Sequence, residues 1–194
     1  MSAAPRVILL DSNAYFRLAR SIHPLLSESF GPPPPYVMKV LEDLYREFSR
    51  NPRLTSKFHW VADSEYVSDL EVSQYSARGK TAFQVETALS YLVKQSIICG
   101  IDVSIIDLKA LAVGYARGFP VITDDRGMQQ LAELFAIECW PTLKLMKLMM
   151  DCKRIDLSKV KEVVEYWDAE NDLPRLIKDF RKLYEECFKG KCPI

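Results

Sequence analysis

Short apolar runs separated by helical segments set the pattern of this chain. In the segment 6–10, Arg6 leads into a continuous apolar run that stops at Asp11, which is typical of a strand buried on both faces. Comparable signals lie at 101–103, 120–123 and 137–140, with a weaker one within 58–67. Strands that alternate with helices in this way predict a mainly parallel sheet covered by helices on both faces.

The predicted helices have recognisable ends. Asp11, Ser12 and Asn13 are all suited to the first turn of a helix over 11–20. Ser68 and Glu71 have the spacing of a capping box that opens another helix. Further helices are predicted over 37–48, over 81–98 with a stop at Gly100, from 104 to about 117, after Asp125, and beyond Pro141 to about 188.

Four consecutive prolines, Pro32 to Pro35, make the clearest break in the chain, because they cannot continue a helix. Residues 24–57 are interpreted as a helical insertion in an α/β domain that spans 1–150. Residues 151–194 are expected to form a C-terminal helical extension packed on the same domain. The expected fold class is therefore a three-layer α/β/α domain with extra C-terminal helices.

Charge and composition narrow the possible partners. The chain has 26 basic and 26 acidic residues, which argues against unspecific wrapping of nucleic acid. A local basic groove is still possible, with Arg17, Arg20, Arg78, Lys80 and Arg126 as its candidates. No apolar run reaches the length of a membrane span or a signal peptide, and five cysteines without a CxxC pair favour reduced thiols. We expect a cytoplasmic protein without a membrane partner.

Three aspartates follow the predicted strands. Asp11 ends the first strand, Asp107 opens the helix after 101–103, and Asp125 lies two residues beyond 120–123. Ligands of open parallel sheets bind outside the carboxyl ends of the strands, so these side chains are expected at one edge. Gathered carboxylates repel each other unless a cation or a proton joins them, and oxygen ligands suit Mg²⁺ or Mn²⁺. Such a site favours phosphodiester hydrolysis, although each aspartate alone is also suited to capping a helix.

The same stretches resemble a known family. The segment from Asp107 to Ala112, the segment from Gly118 to Met128, and the opening strand with Asp11-Ser-Asn13 are similar to the most recognisable parts of PIN-domain proteins. The resemblance covers roughly residues 6–150, with 24–57 fitting poorly. It implies a PIN-like fold and a metal-dependent ribonuclease, very often the toxin of a toxin–antitoxin pair. RNA, an antitoxin protein and a second copy of the chain are the partners expected on this basis.

The resemblance also implies roles for single residues. Asp11, Asp107 and Asp125 would be the catalytic metal ligands, and Thr123 would support the site by hydrogen bonding. Ser12 or Asn13 would hold the first turn. Asp124 competes with its neighbour Asp125 for the third ligand position.

One departure from the family pattern leaves activity open. PIN domains usually carry a fourth acid, and counting from Ser68 puts Gln74 at its position. Glu71 lies one helical turn earlier and would either substitute or act only in the capping box. A regulatory or binding protein on the same scaffold is therefore an alternative. A phosphotransferase or phosphatase on another α/β sheet is a third, less favoured because Asp11-Ser-Asn13 lacks the second aspartate of a DxD motif.

Overall fold

The sheet is the centre of the molecule. The computed structural model describes residues 4–174 and 177–194. Its strands are β1 (Arg6–Leu10), β2 (Tyr36–Leu41), β3 (Gln74–Tyr75), β4 (Val121–Ile122) and β5 (Cys139–Trp140). Within the described residues they form one sheet in the order β3-β2-β1-β4-β5, and every neighbouring pair is parallel.

Helices follow every strand of this sheet. They are α1 (Ser12–Ala19), α2 (Asp43–Arg50), α3 (Pro52–Lys57), α4 (Ser64–Ser73), α5 (Lys80–Cys99), α6 (Ile105–Arg117), α7 (Arg126–Leu134), α8 (Thr142–Asp151), α9 (Leu157–Ala169) and α10 (Ile177–Phe188). A 3-10 turn, His59–Ala62, precedes α4. Among the described residues, no helix combines the length and apolar character required to cross a membrane.

The sheet separates two apolar cores. Successive side chains of a strand point to opposite faces, so Ile8 and Leu10 enter one core while Leu9 enters the other. The first core is closed by side chains of α1, α2, α4, α8, α9 and α10, and the second by those of α5, α6 and α7. This arrangement confirms the predicted three-layer α/β/α class with a parallel sheet.

The helix predicted over 37–48 is wrong in its first half. Tyr36–Leu41 is β2, which pairs with the whole of β1, from Arg6 opposite Tyr36 to Leu10 opposite Val40. The helical spacing of the apolar residues arises because a buried strand and the amphipathic helix α2 follow each other directly. The range 24–57 therefore supplies a central strand of the sheet.

Three further sequence predictions are wrong. The range 58–67 contains the 3-10 turn and the start of α4 instead of a strand, so Ser68 lies inside a helix and opens none. Residues 101–103 form no strand. Ile101 and Val103 instead pack against the start of α7, where a Cβ built on Gly127 would come within 2.9 Å and 2.7 Å of their methyl groups.

Other local predictions are confirmed. Helix α5 ends at Gly100, which has the left-handed conformation expected of a C-terminal glycine. Helix α6 begins with Ser104 as its cap, α7 begins after Asp125, and strands β4 and β5 lie within the predicted ranges. The described residues beyond Pro141 form the helices α8, α9 and α10, joined by short turns.

Buried ionic side chains fix the loop between α1 and β2. The carboxylate of Asp69, on α4, accepts hydrogen bonds from the amides of Leu25, Leu26 and Ser27 at 2.7–3.1 Å. From the opposite side, the Arg154 guanidinium donates to the carbonyls of residues 24, 25 and 28. Because these amides and carbonyls are satisfied, the segment that leads from α1 into β2 is held in place.

Candidate active site

Asp11 is the most buried of the predicted ligands. It follows β1 directly, caps α1, and accepts a hydrogen bond from the Ala14 amide to Oδ1 at 2.6 Å. The residue is only 3% exposed, and its other oxygen, Oδ2, is buried without a hydrogen-bond partner among the described residues. A buried carboxylate oxygen without a partner is costly, so this atom is suited to a proton or a cation.

The protonation of Asp11 reflects this position. Burial raises the pKa of its carboxyl to about 7, and the charges of Asp107 and Asp124 add to the increase. The nearby Thr123 hydroxyl and the hydrogen bond from the Ala14 amide oppose this increase. The Thr123 hydroxyl donates to the Met128 sulfur at 3.2 Å and therefore completes no hydrogen bond to Oδ2.

Asp107 lies half-buried in the first turn of α6. Its amide donates to the Ser104 hydroxyl at 3.2 Å, and that hydroxyl donates to Asp107 Oδ2 at 2.8 Å, so Ser104 both caps α6 and orients the carboxylate. Burial raises the pKa of the Asp107 carboxyl, the Ser104 hydrogen bond opposes this, and the charge of Asp125 raises it further. Asp107 is therefore oriented by its cap and electrostatically coupled to the β4–α7 turn.

The two neighbouring aspartates after β4 have different surroundings. Asp125 is exposed and caps α7, with the Met128 amide at 2.8 Å from its Oδ1, and its own amide donates to Thr123 Oγ1 at 3.1 Å. Asp124 is buried and accepts hydrogen bonds from the amide and the hydroxyl of Thr142 at the start of α8. Thr123 thus holds the turn that presents Asp125, while Asp124 connects that turn to α8.

Sequence analysis missed two acids on α2. Glu47 is half-buried and accepts a hydrogen bond from the Ser12 hydroxyl at 3.1 Å. Burial raises the pKa of its carboxyl, as do the charges of Asp107 and Asp43, whereas Ser12 lowers it. Asp43 forms an ion pair with Lys109 of α6. The signal was available, because 36–41 is apolar except for Lys39, is rich in strand-forming residues, and has acids directly after it.

Gln74 and Glu71, the candidates for the fourth acid, are both exposed. Gln74 lies in β3 in the same row as Val40 and Leu10, two strands from β1, which corresponds to roughly 10 Å. No hydrogen bond or ion pair between described residues joins Gln74, Glu71 or the exposed Asn13 to the other acids. Their roles in the site stay predictions.

We define the acidic cluster as Asp11, Glu47, Asp107 and Asp125. Asp107 is its centre, since its charge raises the pKa of both Asp11 and Glu47 and the charge of Asp125 raises its own. A narrow crevice lined by Asp11, Ser12 and Asp107 lies between the strand ends and α6. As the side chains are oriented, no three His, Cys, Asp or Glu groups of the described residues are arranged to hold a metal ion.

Comparison with known proteins gives structural likenesses alone. No protein-family profile matches the chain, and no curated protein does. FitAcB from Neisseria gonorrhoeae is similar in structure, with 13% identity, a TM-score of 0.46, and coverage of 70% of this chain and 97% of that one. VapBC-5, from the VapBC family of toxin–antitoxin systems of Mycobacterium tuberculosis, has 17% identity, a TM-score of 0.44, and coverage of 71% and 99%. Because these identities and TM-scores are low, function is inferred from the residues of the site.

Proposed function

We propose that this protein is a metal-dependent nuclease that hydrolyses phosphodiester bonds at the acidic cluster, with RNA as its substrate. The observation that carries the proposal is the buried Asp11 oxygen without a hydrogen-bond partner, next to the charge of Asp107. Such an arrangement is unfavourable until a proton or a cation is shared between the carboxylates. A buried carboxyl at the end of a parallel strand, beside other acids, is more readily explained by ligand binding than by stability.

The donor set fits a hard divalent cation. Asp11, Asp107 and Asp125 would hold Mg²⁺ or Mn²⁺ through their oxygens, and Glu47 supplies a fourth acid on the Asp107 side. A bound cation of this kind lowers the pKa of a water molecule and stabilises negative charge on a phosphodiester.

The neighbours of the ligands contribute orientation. The Ser12 hydroxyl fixes Glu47, the Ser104 hydroxyl fixes Asp107, and the Thr123 hydroxyl fixes the turn that carries Asp125. Asp11 would hold the cation through the oxygen Oδ2, which has no hydrogen-bond partner among the described residues, and would give up its proton on binding. Because these hydrogen bonds already restrict the side chains, metal binding would cost less side-chain freedom.

The biological setting rests on the sequence resemblance. A toxin role, an antitoxin partner and a homodimer are implied by the similarity of 107–128 to PIN-domain proteins, and each stays a prediction.

A binding or regulatory protein without catalysis is the second candidate. The observation that favours it is the side-chain arrangement, in which no three ligating groups of the described residues are placed to hold a metal ion. The ion pair between Lys109 and Asp43 also neutralises one acid beside the cluster. This candidate predicts no Mn²⁺ binding by calorimetry in a folded protein.

The proposal is tested by cleavage of a labelled single-stranded RNA with Mg²⁺ or Mn²⁺ and with EDTA. Asp11→Asn and Asp107→Asn are expected to lower the rate at least about a hundredfold, because each removes a charged ligand. Asp151→Asn is the matched control, since Asp151 is exposed on α8 and paired with Lys147. Cleavage that survives EDTA, or equal rates in Asp11→Asn and the control, would reject the proposal.

The fourth acid is decided by a parallel comparison. Glu47→Gln is expected to lower the rate about tenfold or more, since it removes the charge coupled to Asp107 while keeping a partner for Ser12. Gln74→Ala and Glu71→Gln are measured beside it. If either of these variants loses more cleavage rate than Glu47→Gln, the fourth ligand position belongs to Glu71 of α4 or Gln74 of β3 instead of Glu47.

A further inference from the structure

Two arginines flank the acidic cluster at the β4–α7 turn. Arg17, in the last turn of α1, has Nη1 at 3.8 Å from Asp124 Oδ2, although its side chain is only 16% exposed. Arg126 is the first residue of α7 and follows Asp125 directly. Both arginines therefore lie beside the turn that carries Asp124 and Asp125.

Each arginine is already paired with a carboxylate from the C-terminal part of the chain. The Asp172 carboxylate, after α9, lies between Arg17 Nε at 3.2 Å and Lys57 Nζ at 2.8 Å. Arg17 Nε also donates to the Asp172 carbonyl at 3.2 Å. The Asp179 carboxylate, in the first turn of α10, lies 3.0 Å from Arg126 Nη2.

The two contacts differ in strength. The Asp172 and Arg17 side chains are 21% and 16% exposed, so water screens their attraction less than it screens an ion pair on the surface. Asp179 and Arg126 are 53% and 64% exposed, and such surface pairs contribute little. Asp172 is therefore the principal contact, and it is also the one shared by two cations on different helices.

A carboxylate held between an arginine and a lysine has the charge and the acceptor oxygens of a backbone phosphate. Arginine and lysine are the usual donors to phosphate oxygens in nucleic-acid complexes. With Asp172 and Asp179 displaced, three positive charges would be exposed: Arg17 and Lys57, which share Asp172, and Arg126, which follows Asp125. The chain as a whole has no net charge, so local charges of this kind must supply the attraction for a polyanion.

We propose that Arg17, Lys57 and Arg126 are binding positions for the backbone phosphates of a single-stranded nucleic acid, and that Asp172 and Asp179 occupy these positions in the free protein. This inference rests on the proposed nuclease function. A strand that reaches the cluster exchanges its phosphates for the two carboxylates, so the C-terminal carboxylates weaken binding by competition.

The experiment measures the affinity of the full chain for a short fluorescein-labelled single-stranded RNA by anisotropy, in EDTA so that no cleavage occurs. The double variant Asp172→Asn/Asp179→Asn is expected to bind about tenfold more tightly than the wild type at low salt. The slope of log affinity against log salt concentration is expected to become more negative by about 1–2. This is the change expected for two or three added phosphate contacts.

The matched control is Glu162→Gln/Glu186→Gln, which makes the same change in charge on α9 and α10. Each of these glutamates pairs with a lysine of its own helix, Lys159 or Lys182. A gain in the control equal to that of the aspartate variant would show a general charge effect and overturn the proposal. Unchanged or weaker binding by the aspartate variant would overturn it as well.

Two further variants keep the outcome decisive. Lys57→Gln added to the aspartate variant is expected to remove part of the gain, and no loss there would contradict the role of Lys57. If the double variant does not unfold cooperatively, Asp179→Asn alone carries the test, with an expected gain of about threefold from one exposed pair. Wild-type protein that cleaves no RNA with metal would reject the nuclease function, yet the binding gain would stand by itself.

Discussion

At the scale of single residues, burial gives a side chain of this site its chemistry. Asp11 and Asp125 both cap a helix and both follow a strand, yet Asp11 is 3% exposed and Asp125 lies on the surface. Burial raises the pKa of Asp11 to about 7, so near neutral pH its carboxyl is divided between its charged and neutral forms. The sequence indicated which residues are aspartates at strand ends, but it gave no measure of their exposure.

This pKa predicts a pH dependence of stability in metal-free protein. The unfolded carboxyl releases its proton near pH 3.8 and the folded one near 7, so stability is fully present below pH 3.8 and is lost as the pH rises to about 7. The loss assigned to Asp11 is at most about 4 kcal/mol. Asp11→Asn keeps the helix cap and removes the ionisation.

The measurement is urea unfolding in EDTA between about pH 4 and pH 8. The free energy of unfolding should fall less with pH in Asp11→Asn than in the wild type. Burial also raises the pKa of Asp107 and Glu47, so a smaller slope of the same sign should persist in the variant. Parallel curves for the two proteins would contradict the buried, protonated state of Asp11.

At the scale of elements, apolar residues can keep helical spacing across a strand and the helix that follows it. Val37, Val40, Leu41, Leu44 and Phe48 keep helical spacing, but β2 ends at Leu41 and α2 begins at Asp43. Pairing along the whole of β1 stabilises β2 as a strand, and such long-range pairing is not visible in local periodicity. Missing this strand also concealed Glu47, since an acid is expected at the carboxyl end of a strand only when the strand is known.

Close packing between elements makes one glycine of α6 sensitive. A Cβ built on Gly114 would lie 2.5 Å from Val121 Cγ2 and 3.1 Å from the Phe119 carbonyl oxygen. Alanine normally stabilises a helix interior by about 1 kcal/mol relative to glycine. Here the β-branched Val121 is held in the sheet, so Gly114→Ala is expected to destabilise the protein by about 1–2 kcal/mol instead.

Chemical denaturation of Gly114→Ala measures this effect. Gly190→Ala is the control, because its Cβ would have no neighbour closer than the Phe188 carbonyl oxygen at 3.8 Å. The control should stay within about 0.5 kcal/mol of the wild type. If Gly114→Ala is more stable than the wild type, α6 can shift away from β4 to make room for the added methyl group, which would contradict the prediction.

At the scale of the whole molecule, the C-terminal helices complete the core beside the site. Val160, Val163, Trp167 and Phe180 are buried in the same core as Ile8 of β1. The Trp167 indole donates to the Arg17 carbonyl at 2.8 Å and so ties α9 to α1. The same part of the chain brings Asp172 to Arg17 and Lys57, so packing and charge around the cluster are set together.

Trp167→Ala is expected to cost about 3–5 kcal/mol, because it removes a fully buried indole and leaves a carbonyl of α1 without its donor. Tyr91→Ala is the matched control, since Tyr91 is 61% exposed on α5. Thermal and urea unfolding of both variants measures the difference. A loss below about 1 kcal/mol in Trp167→Ala would indicate that α9 contributes little to the core.

The local features of this protein were determined by its sequence. Gly100 ends α5, α6 begins after its cap Ser104, and Asp11 and Asp125 cap the helices that follow them. These predictions succeed because a cap joins a side chain to an amide three residues away, whatever the rest of the chain does.

Tertiary structure decided what lies around those caps. The hydrogen bond between Ser12 and Glu47 joins positions 35 residues apart, and the contact between Arg17 and Asp172 joins positions 155 apart. Such pairs form because strands and helices pack in one order out of many, which short-range spacing does not encode. The sequence by itself gave the α/β class and three aspartates at strand ends. The fold alone buried Asp11, brought Glu47 beside Asp107, and placed the C-terminal carboxylates on the arginines that flank the cluster.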